Sequence, residues 1–369
     1  MSLPATPVSA AAGPLRDTAQ LVHDVRAVHD AGALGVLART DGPYGARAAS
    51  AGRAELHGTD PVAPHSHFRI GSTTKTFVAV VVLQLAAEGK LSLDDTVDSR
   101  LPGVVEGNGN DGRRISIRQL LGHTSGLHDV YADPADFPQT RSASAFRALR
   151  FRTYTAAELV GTALRHAPDF APGTDFGYSN TNYHLAGMIV ERVTGNSWQE
   201  EVRRRIIGPL ALAQTDAPAT SEHIRGPHPH AYRTFPDEPE PVDVTEVNPS
   251  FAGAAGAMTS TAHDLDRFFT ALVAGRLLPP REQAEILRTI PTAGDLNEAW
   301  PGSRYGLGII WIPLPCGGYW SHPGDTFGYS TRGGVTPDAR RAYALVVTSE
   351  ASEATDRAVN DLAANALCT

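Results

Sequence analysis

The stretch of sequence that decides the fold is GSTTKTFVAVVVLQLAAEG, residues 71–89. From Phe77 to Ala87 it is almost entirely apolar, whereas a helix on the protein surface would keep one polar face. Ser72 is typical of a helix start and Gly89 of the residue just past a helix end. The pattern therefore predicts a helix that is buried on all sides between other layers of the protein.

Ser72 and Lys75 stand three residues apart at the start of this helix, which places them on one helix face. Burial and the positive end of the helix dipole both lower the pKa of a lysine. A neutral lysine can take the proton of a neighbouring serine, so the pair is a candidate nucleophile and base. The alternative is a capping serine with a surface lysine, which fits less well with the apolar residues that follow.

Lysine is rare elsewhere in the chain. Of 32 basic residues, 30 are Arg, and the two lysines are Lys75 and Lys90. Arginine serves well for surface charge, but chemistry that needs a neutral amine requires a lysine, whose pKa burial can lower. The composition therefore favours a functional role for Lys75, whereas Lys90 is expected to be a surface charge.

The overall composition is that of a globular protein. The chain has 369 residues, of which 41% are hydrophobic and 20% charged, and this excludes a mainly disordered protein. No apolar run approaches the roughly 20 residues of a membrane span. The net charge of −8 and the scattered arginines make nucleic acid an unexpected partner. Residues 1–6 lack the basic and apolar segments of a signal peptide, so none is visible.

Strand-like patterns lie near both ends of the chain, with helical patterns between them. This arrangement predicts an α/β (α+β) fold, in which an antiparallel sheet is flanked by helices and carries a mostly helical insertion. We expect residues 15–90 and 290–369 to form the discontinuous sheet domain and residues 91–289 the helical domain. Residues 1–14 are expected to be a loose arm, and residues 236–249 a surface excursion rich in proline and acids.

Two further motifs carry groups suited to acyl transfer. Tyr178 can relay a proton to a leaving group, and the amide of Asn180 can orient a substrate carbonyl and the lysine. The alternative is a polar turn before a helix. Gly324 closes a strand-like run, where it would let substrate approach the strand edge. A backbone N–H just after it could share an oxyanion hole with the N–H of Ser72.

The three motifs, Ser72-x-x-Lys75, Tyr178-x-Asn180 and His322-x-Gly324, occur in the order of the serine β-lactamase and penicillin-binding-protein family, which the sequence resembles from about Phe68 to Cys368. The Tyr-x-Asn and His-x-Gly forms look like class C β-lactamases and, more closely, Streptomyces-type D-alanyl-D-alanine carboxypeptidases. The resemblance implies a β-lactamase/transpeptidase-like fold. It also implies an acyl-enzyme on the serine, formed from a small peptide, ester or β-lactam.

The family mechanism assigns roles to residues of this chain. Ser72 attacks the acyl carbonyl, Lys75 acts as base and Tyr178 passes the proton to the leaving group, although which of Lys75 and Tyr178 is the general base stays open. We expect His123 and Ser125 to organise a loop near the site rather than to act chemically. The remaining assignments are His322 as a catalytic residue, Asn180, Phe251, Gly324, Asp325 and Thr326 as substrate contacts, and the backbone N–H groups of Ser72 and Asp325 as the oxyanion hole.

The two cysteines, Cys316 and Cys368, exclude a zinc site of the cysteine-cluster type. They are either two buried thiols or one disulfide that ties the C-terminal region to an upstream strand. In the carboxypeptidases that the chain resembles, cysteines at these places are paired. The resemblance therefore favours the disulfide, and with it a secreted protein.

Other cofactor and metal signals are weak. There is no phosphate-binding loop or dinucleotide fingerprint, so we expect no cofactor. The pairs His65/His67 and His228/His230 lack spaced carboxylates, so we expect no metal site. We also expect a monomer.

The sequence departs from the carboxypeptidase pattern at the place where a free terminal carboxylate would bind. The family holds that carboxylate with hydroxyl residues beside the glycine of the third motif and a basic residue on the neighbouring strand. Here Pro323 and Asp325 flank Gly324, and residues 308–311 contain no arginine. An acid repels a terminal carboxylate unless Thr326 or Arg332 compensates.

Three functions therefore stay open. The first is a secreted serine D-alanyl-D-alanine carboxypeptidase-like enzyme that also reacts with β-lactams. The second is an esterase, a D-amino-acid amidase or aminopeptidase, or a peptide-cyclising acyltransferase on the same fold, which Asp325 favours. The third is a non-hydrolytic penicillin-binding or sensor module, against which the intact set of Ser72, Lys75, Tyr178 and Asn180 argues.

Overall fold

In the computed structural model, which describes residues 12–349 and 352–368, nine strands form one antiparallel sheet. The helices are α1 (Ala12–Asp30), α2 (Thr74–Ala87), α3 (Val97–Arg100), α4 (Ile117–Leu121), α5 (Ala143–Leu149), α6 (Ala156–Ala163), α7 (Thr181–Thr194), α8 (Trp198–Val202), α9 (Gly253–Gly256), α10 (Ala262–Val273), α11 (Pro280–Ile286), α12 (Asp295–Ala299) and α13 (Glu353–Cys368). The strands are β1 (Gly35–Asp41), β2 (Arg47–Gly52), β3 (Phe68–Arg69), β4 (Glu106–Gly107), β5 (Asn110–Asp111), β6 (Tyr232–Phe235), β7 (Glu238–Asp243), β8 (Thr259–Ser260), β9 (Ile290–Pro291), β10 (Arg304–Tyr305), β11 (Ile310–Ile312), β12 (Tyr319–Ser321), β13 (Gly324–Thr326), β14 (Tyr329–Val335) and β15 (Ala342–Val347).

The main sheet joins the two ends of the chain. Its order is β2-β1-β15-β14-β12-β11-β10-β9, with β13 paired to β14. β1 pairs antiparallel with β15, so that Val36 lies opposite Val347. The sheet thus takes its strands from residues 35–52 and 290–347, and the predicted fold class is confirmed. The division of the chain into two domains stays a prediction.

Helices cover both faces of the sheet because its central strands bury side chains in both directions. Along β1, Val36 and Ala38 pack towards α1 and α13, whereas Leu37 packs into the core on the opposite face. Every residue of β15 is buried. The helix α10 packs against β14 and β15, although it belongs to the segment that we assigned to the helical domain. That segment therefore supplies one layer of the sheet's own core.

The apolar helix α2 is buried as predicted, and its residues Phe77 to Leu83 are all at most 1% exposed. Its start differs from the prediction. Ser72 lies inside a 3₁₀ turn (Gly71–Thr73), and α2 begins at Thr74 without a side-chain cap. The Ser72 hydroxyl is therefore not engaged in capping α2. The end of α2 agrees with the prediction, because Gly89 has a left-handed φ of +68°.

Two other segments also differ from their predicted forms. The helix α1 begins at Ala12, so residues 12–14 are helical, while residues 1–11 of the predicted arm lie outside the described residues. The predicted surface excursion contains β7, which pairs with β6 as a hairpin. The hairpin is partly exposed, and β7 contains two prolines, which are unusual inside a strand and made it look like a loop in the sequence.

A disulfide joins Cys316, in the turn after β11, to Cys368 at the end of α13, with a Cα–Cα distance of 5.5 Å. Of the two alternatives for these cysteines, the disulfide is therefore confirmed. Such a bond is compatible with an oxidising, extracellular compartment. Export itself stays a prediction. Among the helices of the described residues, none combines the length and the hydropathy that crossing a bilayer requires.

Candidate active site

The Ser72 turn and β13 lie in direct backbone contact, which brings the first and third motifs together. A Cβ atom on Gly324 would lie 1.9 Å from the carbonyl oxygen of Ile70. A Cβ atom on Gly71, whose φ is +47°, would lie 2.7 Å from the oxygen and 2.9 Å from the nitrogen of Asp325. Only glycine fits at these two places. The backbone of Asp325 therefore lies beside the turn that carries Ser72, as a shared oxyanion hole requires.

Lys75 is fully buried and holds three polar contacts through Nζ. The nitrogen lies 2.9 Å from Ser72 Oγ, 2.7 Å from Asn180 Oδ1 and 2.8 Å from the carbonyl oxygen of Ala255. Burial lowers the pKa of Lys75 to about 7, although the negative charge of Asp129 works in the opposite direction. A neutral amine has two N–H donors, which the amide and carbonyl oxygens accept. Its lone pair is then left for the Ser72 hydroxyl.

The lowered pKa of Lys75 sets the expected pH dependence of Ser72 acylation. Only the neutral amine accepts a proton, so the acylation rate should rise as pH rises through about 7 and then level off. Stopped-flow measurement of the acylation burst with p-nitrophenyl acetate between pH 5 and 9 tests this expectation. A rate that is constant across this range would exclude Lys75 as the titrating base.

Tyr178 is the third polar group at the nucleophile. Burial raises its pKa well above 10, an effect that its hydrogen bond with the Ser72 side chain opposes. Lys75 Nζ lies 4.9 Å from the centre of the tyrosine ring. At neutral pH the phenol therefore keeps its proton and is able to donate it. Between the two candidate bases, the geometry and the pKa directions favour Lys75.

His123 packs against the ring of Tyr178 and binds the segment that carries it. Its Nδ1 accepts hydrogen bonds from the backbone N–H of Ser179 (3.1 Å) and from Asn182 Nδ2 (3.1 Å), and its ring lies 4.2 Å from the ring of Tyr178. Ser125 Oγ donates to Asn182 Oδ1 at 2.6 Å. His123 and Ser125 thus organise the polypeptide around Tyr178, as expected from the sequence.

The contacts of His322 argue against the catalytic role that we predicted for it. Its Nδ1 lies 2.8 Å from the carbonyl oxygen of Pro323, and its Nε2 lies 2.9 Å from the Tyr305 hydroxyl. Burial, with a contribution from the charge of Lys75, lowers the pKa of His322 to about 3, so the ring is neutral. Its one N–H donates to the carbonyl and its other nitrogen accepts from the phenol. No ring nitrogen is left for Ser72, and the geometry instead suits a residue that shapes the start of β13.

Asp325 presents a partly tethered carboxylate at the site. Its Oδ1 accepts hydrogen bonds from Ser330 Oγ (2.5 Å) and from Arg332 Nη1 (2.9 Å), while 63% of the side chain stays exposed. Its charge contributes to the raised pKa of Tyr178, after burial, so the carboxylate lies within electrostatic reach of that hydroxyl. Arg332 is 11% exposed and lies over the Trp300 ring. This arginine is engaged by Asp325 and is not free to hold a substrate carboxylate, while the largely exposed carboxylate keeps its negative charge towards the site.

Two phenylalanines form an aromatic wall next to β13. Phe251 and Phe327 have ring centres 5.2 Å apart, and the Tyr131 hydroxyl donates to the carbonyl oxygen of Phe251. Thr326, the last residue of β13, pairs with Tyr329 and directly precedes Phe327. The sequence predicted Phe251 and Thr326 as substrate contacts, which stays a prediction, and it gave no role to Phe327 or Tyr131. The only available signal for Phe327 was its position next to the third motif.

One group of described side chains has the spacing of metal ligands. Single ligand atoms of Asp133, Asp136 and His166 lie within 4.8 Å of one another. However, His166 Nε2 is 2.9 Å from the Asp136 carboxylate, and Arg165 binds the same carboxylate. These contacts already satisfy the acid as an ion-pair cluster. Of the histidine pairs considered in the sequence, His228 contacts the oxygen of Gly226 and His230 contacts Asp243.

The fold and this site place the chain in a family. The chain belongs to the Beta-lactamase family, whose sequence model matches residues 19–367. It therefore has the fold of the serine β-lactamases and penicillin-binding proteins. The family predicted from the three motifs is confirmed.

Two solved structures and one curated protein are similar to this chain. A D-stereospecific amidohydrolase from Streptomyces sp. has 38% identity and a TM-score of 0.85, with 92% of this chain and 98% of that chain covered. A D-amino acid amidase from Ochrobactrum anthropi SV3 has 24% identity and a TM-score of 0.80, with 95% of this chain and 97% of that chain covered. At this identity the likeness shows the fold alone. Penicillin-binding protein 4 of Amycolatopsis lactamdurans is 33% identical over 56% of this chain. The chain spans about half the length of that curated relative, 51%.

Proposed function

We propose that the protein hydrolyses amides or esters of small D-amino-acid-type substrates whose leaving group carries no carboxylate. The observation that carries this proposal is the Asp325 carboxylate, tethered by Arg332 at the strand edge where a carboxypeptidase would bind the substrate's free carboxylate. The likeness to a D-stereospecific amidohydrolase, at 38% identity, supports the same substrate class. A D-alanyl-D-alanine carboxypeptidase is the less favoured function.

The proposed reaction uses the groups around Ser72. Lys75 Nζ lies 2.9 Å from Ser72 Oγ. It takes the proton of the Ser72 hydroxyl as Oγ attacks the carbonyl carbon of the substrate. The backbone N–H groups of Ser72 and Asp325 stabilise the oxyanion. Tyr178 donates its proton to the leaving nitrogen or oxygen and recovers one from Lys75, so that the C–N or C–O bond breaks and the lysine is again neutral.

Deacylation runs through the same groups in reverse. A water molecule gives up a proton to the Tyr178 and Lys75 pair and attacks the acyl carbonyl, after which Ser72 leaves with its proton restored. The aromatic rings of Phe251 and Phe327 offer an apolar surface beside the acyl group. A secreted, monomeric enzyme stays part of the proposal.

The substrate class is tested by pairs of substrates that differ only in the leaving group. We expect kcat/KM for a D-amino acid amide to exceed that for the same D-residue linked to D-Ala, with a free carboxylate, by about 10²-fold, because Asp325 repels the carboxylate. Asp325→Ser should raise the activity on the carboxylate-ended peptide by about tenfold. Initial rates by liquid chromatography give both ratios.

The matched control is Asp338→Ser, since the Asp338 side chain is 60% exposed and pairs with Arg340 away from the site. It should leave both ratios unchanged. Equal or faster cleavage of the carboxylate-ended peptide by the unchanged protein would instead identify a carboxypeptidase.

A further inference from the structure

Asp129 contacts Asn180 of the Tyr178-x-Asn180 motif, although none of the sequence motifs includes Asp129. Its Oδ1 accepts the backbone N–H of Asn180 at 2.9 Å and the side-chain Nδ2 at 3.1 Å. Its Oδ2 lies 3.2 Å from the same Nδ2. Three contacts from one residue thus converge on a single carboxylate in the loop that follows α4.

These contacts decide which way the Asn180 amide points. A carboxylate only accepts hydrogen bonds, so the NH₂ end of the amide must face Asp129. The oxygen end then faces Lys75 Nζ, 2.7 Å away. With the opposite orientation, an N–H donor would face the amine and an oxygen would face the carboxylate, and both contacts would be lost.

We propose that Asp129 is a positioning residue for the acylation of Ser72: by fixing the Asn180 amide, it makes the amide oxygen take one hydrogen of neutral Lys75. The Ala255 carbonyl takes the other hydrogen at 2.8 Å, so the lone pair is directed to the Ser72 hydroxyl. This inference rests on the proposed role of the Ser72 and Lys75 pair, but not on the identity of the substrate.

The charge of Asp129 has a second effect, on the protonation of the amine. Burial lowers the pKa of Lys75, and Asp129 raises it. The other titratable groups that face Lys75 are two phenols, at 4.9 and 5.6 Å from ring centre to Nζ, and three buried imidazoles whose pKa values are lowered by burial. They are Tyr178, Tyr183, His123, His184 and His322. All five are neutral at pH 7. Burial raises the pKa of Asp129, an effect that the hydrogen bonds from Asn180 and the charge of Lys75 oppose, and its carboxylate is the negative charge that acts on the amine.

Two substitutions at Asp129 separate orientation from charge. Asp129→Asn keeps an oxygen that can accept from Asn180 but removes the charge. Its acylation rate at pH 9 should stay within about fivefold of that of the unchanged protein. The acid limb of its pH profile should move to lower pH, because the lysine loses a stabilising charge. Asp129→Leu removes the acceptor as well and should slow acylation by about 10²-fold at every pH.

The test measures the burst of p-nitrophenol from p-nitrophenyl acetate, between pH 5 and 9, for both variants and for the control Asp133→Asn. Asp133 lies in the same loop, where its carboxylate accepts the Ala135 N–H at 2.8 Å, and its variant should match the unchanged protein. An acid limb that does not move in Asp129→Asn would overturn the inference, as would a normal rate in a folded Asp129→Leu. If the unchanged protein gave no burst with this ester, the proposed acyl-enzyme chemistry would fail instead.

Discussion

Lys75→Arg is expected to abolish acylation of Ser72 while the net charge of the protein stays at −8. A guanidinium stays protonated at every accessible pH and has no lone pair with which to take the serine proton. A general base typically contributes about 10²–10⁴-fold to such a step, so we expect a loss of at least about 10³-fold. The measurement is the rate at which a fluorophosphonate probe adds its mass to Ser72, followed by mass spectrometry.

The only other lysine of the sequence supplies the control for this variant. Lys90 is 47% exposed and pairs with Glu88 on the surface at 2.8 Å. Lys90→Arg should therefore label at the normal rate. Thermal unfolding of both variants separates a lost base from a lost fold. Normal labelling of a folded Lys75→Arg variant would refute the role of this amine as the base.

Gly324→Ala is expected to have the second largest effect, through the backbone alone. The added Cβ atom would lie 1.9 Å from the Ile70 oxygen and 2.9 Å from Thr73 Oγ1, so β13 must move away from the Ser72 turn. The N–H of Asp325 would then leave its place beside the N–H of Ser72. Loss of one oxyanion donor typically costs about 10²–10³-fold in rate. We expect a loss of that size in the burst rate.

Gly161→Ala is the matched control for Gly324→Ala, because it adds the same methyl group where no heavy atom lies within 4 Å. Gly161 lies within α6, and alanine there should stabilise the protein by about 0.5–1 kcal/mol. Calorimetry and the ester burst are measured on both variants. A Gly324→Ala variant that kept more than half of the normal burst rate would show that β13 does not supply an oxyanion donor.

Features with a local cause could be predicted from the sequence. The buried helix and the shared face of Ser72 and Lys75 follow from spacing within one turn, and the strands follow from runs of apolar residues. The error at Ser72, in contrast, has a distant cause: the 3₁₀ turn depends on the positive φ of Gly71, which lies against the backbone of Asp325. That neighbour is distant in sequence, so no local pattern could have revealed it.

Features that depend on partners distant in sequence could not be predicted. The motif of His322 indicates a catalytic residue, but its contacts are decided by the Tyr305 hydroxyl from another strand. Asp129 gave no signal, because its importance arises from contact with Asn180, 51 residues further on. The aromatic wall of Phe251 and Phe327 likewise forms only in three dimensions.

The pairing of β1 with β15 has a consequence for how the protein folds during its synthesis. The strand that contains Val36 cannot pair with β15 until Val347 has been synthesised. Contacts between such distant parts of a chain form slowly, and until then strand edges and apolar surface stay open to other proteins. The turn with Ser72 is synthesised well before its partner strand β13. Ser72 can therefore meet the backbone of Asp325 only after residues 324–326 have been synthesised, more than 250 residues later.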